Sequence, residues 1–514
     1  MRRVRATILV LTLLAVAAPP AAAAGRGPGI VWSPCAQDAT ARCGTVSVPI
    51  DWADPYTARV GVAVAERPAT DPSRRIGVLI VNPGGPGASG VDLAVGAASF
   101  FTPELRARFD IVGFDPRGVR RSHPVVCTKT LVDQAPKPLI SSAAGYDAVV
   151  AYNRALAADC RRRTGPLFDH VDTLSVVRDM EALRAALGEE KINFYGASYG
   201  TLLGAQYADR YPARVRALVL DSVMDHSASI DDFLTTESAA AQDAFDEFVA
   251  WCARDTQCAL RGRDIRALWA GLLARAEAGT LRDPYHPDRV VTPSDLLAVA
   301  FSSFYQPQWY ALAFYLKEAS ASPAPTAGRA HRAARAPVAP APPRWAGLGP
   351  ASVAPRRVAA DQAEYPFPAV FCADWALSVD GYAGLAAKLA AARGRAPQML
   401  VSPLALSATV GCLGWPSAPA NPQGSLRPAS TPVLLVNARH DPATAYAWAQ
   451  RVAGQLGPRA RLLEYLGWGH VAYGRSACLN RFVDSYLIDG RTPAAGSECP
   501  AVPPSPFGVG GSGP

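Results

Sequence analysis

The stretch INFYGASYGTLLGAQYADR, residues 192–210, joins an apolar run to a segment with helical spacing through the turn GASYG at residues 196–200. A Gly-x-Ser-x-Gly sequence between a buried strand and a helix is typical of a nucleophile elbow, in which a strained turn exposes the serine hydroxyl. The flanking glycines are needed because larger side chains would collide with the neighbouring strand and helix. We therefore predict a strand, a sharp turn that presents Ser198 and a helix that starts near Thr201.

Short apolar runs and helical patterns alternate on both sides of this turn. The sequence predicts strands at residues 60–64, 77–81, 109–114, 192–195, 217–220, 432–437 and 461–465, and helices at 173–187, 201–210 and 444–456. Runs that are apolar throughout are typical of strands buried on both faces of a parallel sheet. Their alternation with helices predicts an α/β architecture.

The alternation is interrupted between residues 225 and 430. The patterns there are mainly helical, at residues 239–252, 265–278, 293–301 and 382–393. We interpret residues 225–430 as a helical lid inserted into a core formed by residues 25–224 and 431–502. Within the lid, residues 319–360 are rich in Ala, Pro and Arg and contain no acidic residue, which predicts disorder. The Gly-rich tail, residues 503–514, is expected to be flexible.

The amino terminus has the pattern of an export signal over residues 1–24. Three arginines precede an apolar run that is too short to span a bilayer, and small residues at 22–24 suit a cleavage site. We therefore expect a secreted, extracellular or cell-wall-associated protein without a membrane span in its mature form. We also expect it to be a monomer.

All ten cysteines follow this signal. An even number of cysteines in an exported chain predicts disulfides, and no Cys-x-x-Cys or Cys/His spacing suits zinc. Neither a metal nor a cofactor is therefore expected. The simplest pairing joins neighbours along the chain: Cys35 with Cys43, Cys127 with Cys160, Cys252 with Cys258, Cys372 with Cys412 and Cys478 with Cys499.

Composition and charge narrow the class of protein further. With 514 residues, 49% hydrophobic and 18% charged, the chain cannot be a wholly disordered polyelectrolyte, and its length suggests about three units of roughly 150 residues. The net charge of +8 would by itself suggest an acidic partner such as a nucleic acid. Three arginines of the export signal and six of residues 319–360 account for this positive charge, so the rest of the chain has a net charge close to zero. No nucleic-acid partner is therefore expected.

A serine hydroxyl is a poor nucleophile unless a base and an orienting acid activate it. Among seven histidines, His470 is best placed as the base, because it lies in a glycine-containing loop after the last predicted strand. Asp441, just past the preceding predicted strand, is the best acid, since the chain order serine, acid, histidine accompanies a nucleophile elbow. Asp221 and Asp225 remain alternatives, because they follow the strand after Ser198.

The negative charge of a tetrahedral intermediate needs preorganised N–H donors. The backbone N–H of Tyr199 is one candidate, because it directly follows the nucleophile. The second candidate is the N–H of Gly85, in the loop PGGPG at residues 83–87, whose glycines allow the backbone to approach a substrate. We predict an oxyanion hole from these two groups.

Several motifs together carry a resemblance to a known family. PGGPG (83–87), DPRG (115–118), GASYGT (196–201), GWGH (467–470) and the C-terminal stretch from Cys478 to Cys499 resemble the secreted tripeptidyl aminopeptidases and related proline-iminopeptidase-like α/β-hydrolases of actinobacteria. The resemblance spans nearly the whole mature chain. It implies an α/β-hydrolase fold, with a mostly parallel sheet, helices on both faces and a large, mainly helical lid. It also implies a serine exopeptidase that removes short peptides from free amino termini through an acyl-enzyme at Ser198.

Such an aminopeptidase must bind peptide substrates by their ammonium group, which a partly buried carboxylate does well. Asp374, in a stretch FCAD that resembles a family motif, is one candidate in the lid, and Glu364 and Glu237 are others. The alternative function is a secreted carboxylesterase or lipase with the same triad, because one fold hosts many acyl transfers. A protein that only binds a surface is a third hypothesis, and the apparently complete triad counts against it.

Overall fold

The computed structural model describes residues 29–56, 58–321 and 358–505. The export signal predicted at residues 1–24 lies outside this range, as do most of residues 319–360 and nearly all of the predicted flexible tail. The strands are β1 (Ser33–Pro34), β2 (Arg42–Pro49), β3 (Arg59–Arg67), β4 (Gly77–Asn82), β5 (Phe109–Phe114), β6 (Val126–Thr128), β7 (Ile192–Ala197), β8 (Val215–Asp221), β9 (Gln362–Glu364), β10 (Val433–His440), β11 (Ala460–Trp468) and β12 (Glu498–Cys499).

The helices divide between the core and the long segment that separates β8 from β10. They are α1 (Gly90–Val95), α2 (Ala97–Phe100), α3 (Pro103–Arg108), α4 (Lys129–Asp133), α5 (Ala143–Thr164), α6 (Thr173–Ala186), α7 (Tyr199–Arg210), α8 (Ile230–Arg254), α9 (Ile265–Glu277), α10 (Pro293–Tyr305), α11 (Trp309–Ala321), α12 (Pro366–Asp374), α13 (Gly381–Arg395), α14 (Pro403–Cys412), α15 (Tyr446–Leu456) and α16 (Ala477–Asp489).

Ten strands form one sheet in the order β1-β2-β3-β5-β4-β7-β8-β10-β11-β12. All neighbours from β5 to β12 are parallel, whereas β1, β2 and β3 add an antiparallel edge. Every residue of β4, β5 and β7 is buried, in agreement with their mostly apolar sequences. The predicted α/β-hydrolase fold, a mostly parallel sheet with helices, is confirmed.

Two of the hydrophobic cores pack on the two faces of this sheet. One includes Ile80 and Phe194, and the other includes their chain neighbours Leu79 and Tyr195, which point to the opposite face of β4 and β7. A third core, centred on Phe245, Trp269 and Trp309, joins helices α8 to α11. The segment between β8 and β10 therefore has a hydrophobic core of its own beside that of the sheet.

The structure also differs from the pattern-based prediction in places. Helix α5, with 22 residues, and the β2–β3 antiparallel pair were not predicted by the apolar periodicity. A two-stranded sheet of β6 and β9 lies within or beside the region predicted to be helical. Strand β2 alternates between buried and exposed positions, as an edge strand does, so its sequence lacks the continuous apolar run of the central strands.

Ten cysteines form five disulfides: Cys35–Cys43, Cys127–Cys160, Cys252–Cys258, Cys372–Cys412 and Cys478–Cys499. This is the pairing of neighbours predicted from the sequence. Among the residues that the structure describes, no helix is both long enough and apolar enough to cross a membrane.

Candidate active site

The three residues of the predicted triad lie past the carboxyl ends of three parallel strands. Ser198 directly follows β7, Asp441 directly follows β10 and His470 comes two residues after β11. The carboxyl ends of parallel strands meet at one edge of the sheet, which is where α/β proteins bind ligands. The topology therefore brings to one edge three residues that are up to 272 positions apart in the sequence.

Ser198 occupies a strained turn between β7 and α7. Its φ of 56° and ψ of −126° lie where residues with a side chain are rarely found. A Cβ atom on Gly196 would lie 2.4 Å from the carbonyl oxygen of Gly200, and one on Gly200 would lie 2.6 Å from the carbonyl oxygen of Asn82. The two flanking glycines are therefore required by close backbone packing, as the motif predicts.

His470 and Asp441 form a buried pair. The Nδ1 atom of His470 lies 3.0 Å from both carboxylate oxygens of Asp441. An ionised carboxylate only accepts hydrogen bonds, so Nδ1 carries the hydrogen and Nε2 is left as the basic nitrogen. Nε2 is buried and has no hydrogen-bond partner among the described residues. This tautomer is the one that a general base next to a serine requires.

The ionisation of Asp441 is set by opposing effects. Burial raises its pKa, but the charge of His470 and the hydrogen bonds from His470, Thr444 and Ala443 lower it more, so the pKa lies below its usual value. The amides of Ala443 and Thr444 donate to Oδ1 at 2.9 and 3.0 Å, and the Thr444 hydroxyl donates to Oδ2 at 2.9 Å. Asp441 is thus held as a carboxylate in a fixed orientation.

The other acids considered for the triad have different partners. The carboxylate of Asp225 accepts from the Nε of Arg451 at 2.6 Å and from the hydroxyl of Ser227. The carboxylate of Asp221 accepts from backbone amides and a tyrosine hydroxyl. Among the described hydrogen bonds, only those of Asp441 join a carboxylate to the imidazole of His470.

The loop that contains Gly85 lies directly against the nucleophile turn. A Cβ atom on Gly84 would lie 2.4 Å from the carbonyl oxygen of Ala197 and 2.7 Å from the amide nitrogen of Tyr199. Gly84 and Gly85 have φ values of +87° and +114°. Gly84 therefore packs against the amide of Tyr199, the first predicted donor. Gly85, the second predicted donor, is the next residue in the chain.

The carboxylate of Asp374 already has four hydrogen-bond donors within the protein. It is fully buried, and its carboxylate accepts from the amide and hydroxyl of Thr173, the hydroxyl of Tyr199 and the side-chain amide of Asn421, at 2.6–2.9 Å. Burial raises its pKa to about 7. Its hydrogen bonds connect α12 to the side chain of Tyr199, the residue that follows Ser198.

The two glutamates are in contrasting positions. Glu364, in β9, lies 3.4 Å from the exposed guanidinium of Arg120. Glu237, in α8, is only 1% exposed and accepts from the hydroxyl of Ser402 at 2.7 Å. Burial raises the pKa of Glu237 well above its usual value, and the negative charge of Asp441 adds to this effect. Of the two, Glu237 is the one that is electrostatically linked to the triad.

Two further residues of the site were not predicted from the sequence. The ring of Tyr305, at the end of α10, lies 4.5 Å from the ring of His470, and its carbonyl oxygen accepts the His470 amide at 2.9 Å. Burial raises the pKa of the Tyr305 hydroxyl, and the negative charges of Asp441 and Glu237 raise it further. Arg475 donates to the carbonyl oxygens of His470 and Tyr305 at 2.7 and 3.2 Å. No local motif marks either residue, because both reach the site through tertiary packing.

Within residues 29–56, 58–321 and 358–505, no group of three or more His, Cys, Asp or Glu side chains is arranged to hold a metal ion.

Comparisons with known proteins identify the family to which the chain belongs. The family model for the alpha/beta hydrolase fold matches residues 77–475. The chain is 31% identical over 504 residues to serine protease Hip1 of Mycobacterium tuberculosis, an alignment that covers 92% of this chain and 91% of that protein. It is 31% identical over 508 residues to a tripeptidyl aminopeptidase of Streptomyces lividans, covering 95% and 89%. It is also 33% identical over 536 residues to carboxylesterase B of Mycobacterium tuberculosis, covering 96% of each.

Proposed function

Because this chain is a serine hydrolase of the α/β-hydrolase family, with the actinobacterial tripeptidyl aminopeptidases among its relatives, we propose that it is a secreted serine exopeptidase. Its reaction is the hydrolysis of peptide bonds near free amino termini, of the tripeptidyl or prolyl aminopeptidase type. Ser198, His470 and Asp441 are proposed as the catalytic residues, with an acyl-enzyme on Ser198.

The proposed mechanism uses the groups at the sheet edge in order. His470 Nε2 takes the hydroxyl proton as Ser198 Oγ attacks the peptide carbonyl, and Asp441 stabilises the imidazolium that forms. The backbone N–H groups of Tyr199 and Gly85 bind the oxyanion of the tetrahedral intermediate. The imidazolium then gives its proton to the leaving amine, and water hydrolyses the acyl-enzyme with His470 again as the base.

The observation that carries the exopeptidase proposal is the environment of Glu237. It is a buried carboxyl group in α8 whose pKa is raised well above its usual value by burial and, further, by the charge of Asp441. A substrate ammonium placed beside it would favour the carboxylate, because an opposite charge lowers a carboxyl pKa. An ester substrate offers no such cation. We therefore propose Glu237, rather than Asp374 or Glu364, as the group that binds the substrate amine.

The test compares three substrates on the purified mature protein: an unblocked tripeptide nitroanilide, its N-acetylated form and a short-chain nitrophenyl ester. Ser198→Ala should abolish hydrolysis of all three. Glu237→Gln should lower kcat/KM for the unblocked peptide by about 30-fold or more, since losing one partner of a buried charge pair costs about 2 kcal/mol or more. The same variant should leave ester hydrolysis nearly unchanged.

Glu364→Gln is the matched control, because it makes the same chemical change at a lid-region glutamate whose described ion pair is with Arg120. It should not alter the preference for unblocked peptides. Equal losses on peptide and ester substrates for Glu237→Gln would contradict the proposed amine site. Hydrolysis confined to esters in the unmodified protein would contradict the exopeptidase proposal itself.

The second candidate function is a secreted carboxylesterase or lipase that uses the same three residues. The observation in its favour is the similarity to carboxylesterase B over 96% of this chain. The ester and peptide arms of the same experiment separate it from the first candidate.

A further inference from the structure

We infer that Asp221 is a positioning residue that fixes the loop carrying His470 relative to Ser198. This inference rests on the catalytic roles proposed above for those two residues. It concerns a carboxylate that the reaction itself does not use and that sequence reasoning considered only as an alternative triad acid.

Three successive amides that follow the catalytic histidine donate to two neighbouring side chains at the end of β8. The amide of Val471 donates to the hydroxyl of Ser222 at 2.8 Å. The amide of Ala472 donates to Oδ1 of Asp221 at 2.8 Å, and the amide of Tyr473 donates to Oδ2 at 2.9 Å. The backbone just after the histidine is therefore held by side chains that come from a different strand.

Asp221 also contacts the nucleophile turn through its main chain. Its carbonyl oxygen accepts the amide of Ser198 at 2.9 Å. In the sheet, Asp221 is the register partner of Ala197, the residue before the nucleophile. One residue thus binds the nucleophile turn with its backbone and the histidine loop with its carboxylate, which sets the distance between the two.

The loop needs such a restraint because its backbone is strained. Val471 has a φ of 65°, a value that is rare for any residue with a side chain and rarest for a β-branched one. Strained conformations of this kind persist only where the surroundings hold them. The bonds from residues 471–473 to Asp221 and Ser222 supply that hold directly beside the imidazole.

The contacts of Asp221 distinguish positioning from the role of the triad acid. Its side chain is fully buried, and its oxygens accept from two amides and from the hydroxyl of Tyr195 at 2.7 Å. The Nδ1 atom of His470 is paired with Asp441 instead. Burial raises the pKa of Asp221, while its hydrogen bonds from the two amides and Tyr195 and the charge of His470 act in the opposite direction.

Asp221→Asn is the informative change, because it keeps the size of the side chain and removes one acceptor. In either orientation the new NH₂ group would face an amide N–H, of Ala472 or of Tyr473, and the histidine loop must shift. A displacement of about 1 Å at a catalytic group lowers the rate by about 100-fold. We expect kcat to fall by about this factor on peptide and ester substrates alike, with KM changed less than about threefold.

The experiment uses the full mature chain and measures kcat, KM and the rate of active-site labelling by a fluorophosphonate. A displaced histidine loop should slow labelling and lower kcat together while KM stays nearly unchanged, whereas a loss of folded protein would lower only the fraction that is labelled. Asp225→Asn is the matched control. It alters another buried aspartate four residues further on, whose described bonds do not reach the histidine loop, and it should keep kcat and the labelling rate.

Each outcome supports or overturns the inference. A folded Asp221→Asn protein with an unchanged kcat and an unchanged labelling rate would overturn it. So would an Asp221→Asn variant that is inactive while Asp441→Asn retains activity, because Asp221 would then be the triad acid. If Asp221→Asn does not fold, Ser222→Ala replaces it: it removes only the bond to Val471, and an unaltered kcat would count against the inference. Full activity of Ser198→Ala would instead contradict the proposed function.

Discussion

The substitution Asp441→Asn tests the proposed triad most directly, because the surroundings of Asp441 dictate how an asparagine would sit. Oδ1 accepts two backbone amides, from Ala443 and Thr444, so the asparagine oxygen must take that position. Its NH₂ group then replaces Oδ2, where the hydroxyl of Thr444 can accept one hydrogen. The variant can therefore keep the local hydrogen bonds and should fold.

The second hydrogen of that NH₂ group points to the Nδ1 atom of His470, which lies 3.0 Å from the position of Oδ2. An N–H donor there requires Nδ1 to accept, so the ring hydrogen moves to Nε2. A protonated Nε2 cannot take the proton of the Ser198 hydroxyl. In hydrolases with a Ser-His-Asp triad, the same change of tautomer lowers kcat by about 10⁴, which corresponds to about 5 kcal/mol of transition-state stabilisation.

The assay measures kcat and kcat/KM on the unblocked tripeptide nitroanilide, with folding checked by circular dichroism. Asp441→Asn should lose about 10⁴ in kcat while KM changes little. The double variant with His470→Ala should be no slower than His470→Ala alone, because residues that act as a unit are not additive. A folded Asp441→Asn protein within tenfold of the unmodified rate would refute this reasoning and move the acid elsewhere.

Two further changes test the loop and the lid. Gly84→Ala should lower both the unfolding temperature and kcat, because its Cβ would lie 2.4 Å from the Ala197 carbonyl oxygen. The control is Gly188→Ala, at a glycine with a φ of +75° and nothing within 4 Å of the added Cβ, which should lower only the unfolding temperature. Comparable losses of kcat in the two variants would contradict this prediction. Asp374→Asn should change KM for unblocked and N-acetylated peptides by the same factor. A carboxyl group whose pKa is raised to about 7 in the folded state binds more protons there than in the unfolded state, so it makes the free energy of unfolding fall between pH 4 and 7. Asp374→Asn should remove this contribution and make the free energy of unfolding less dependent on pH. A rise in KM for unblocked peptides alone would identify Asp374 as the amine site.

The order of strands made most of the catalytic edge predictable from the sequence. Ser198, Asp441 and His470 each follow a run with a clear strand pattern, and parallel strands present their carboxyl ends at one edge. The disulfides were predictable for a similar reason, since each joins cysteines that are near neighbours among the ten. In both cases the order of the residues along the chain was enough to predict which of them lie close together.

The contacts around the proposed active site could not be predicted from the order of residues along the chain. Asp374 resembles a family motif, but its partner Thr173 is 201 positions away, so only the folded chain reveals that its oxygens are already occupied. Tyr305 and Glu237 lie near the proposed triad because helices α10 and α8 pack against the core. The spacing of residues within one helix does not predict this packing. Helix α5 lacks a clear apolar stripe because alanines and charged residues are mixed along it.

Two helices of the proposed lid contact the sheet edge where the proposed catalytic residues lie. The carbonyl oxygen of Tyr305, at the end of α10, accepts the amide of His470, and α12 holds the side chain of Tyr199 through Asp374. Each of the two lid helices therefore binds a residue on which the proposed chemistry depends, the base in one case and an oxyanion donor in the other. Moving either helix away from the core would break one of these bonds. We therefore propose that a substrate that requires either helix to move away would disturb the proposed base or oxyanion donor, so that small substrates such as the ends of short peptides are preferred.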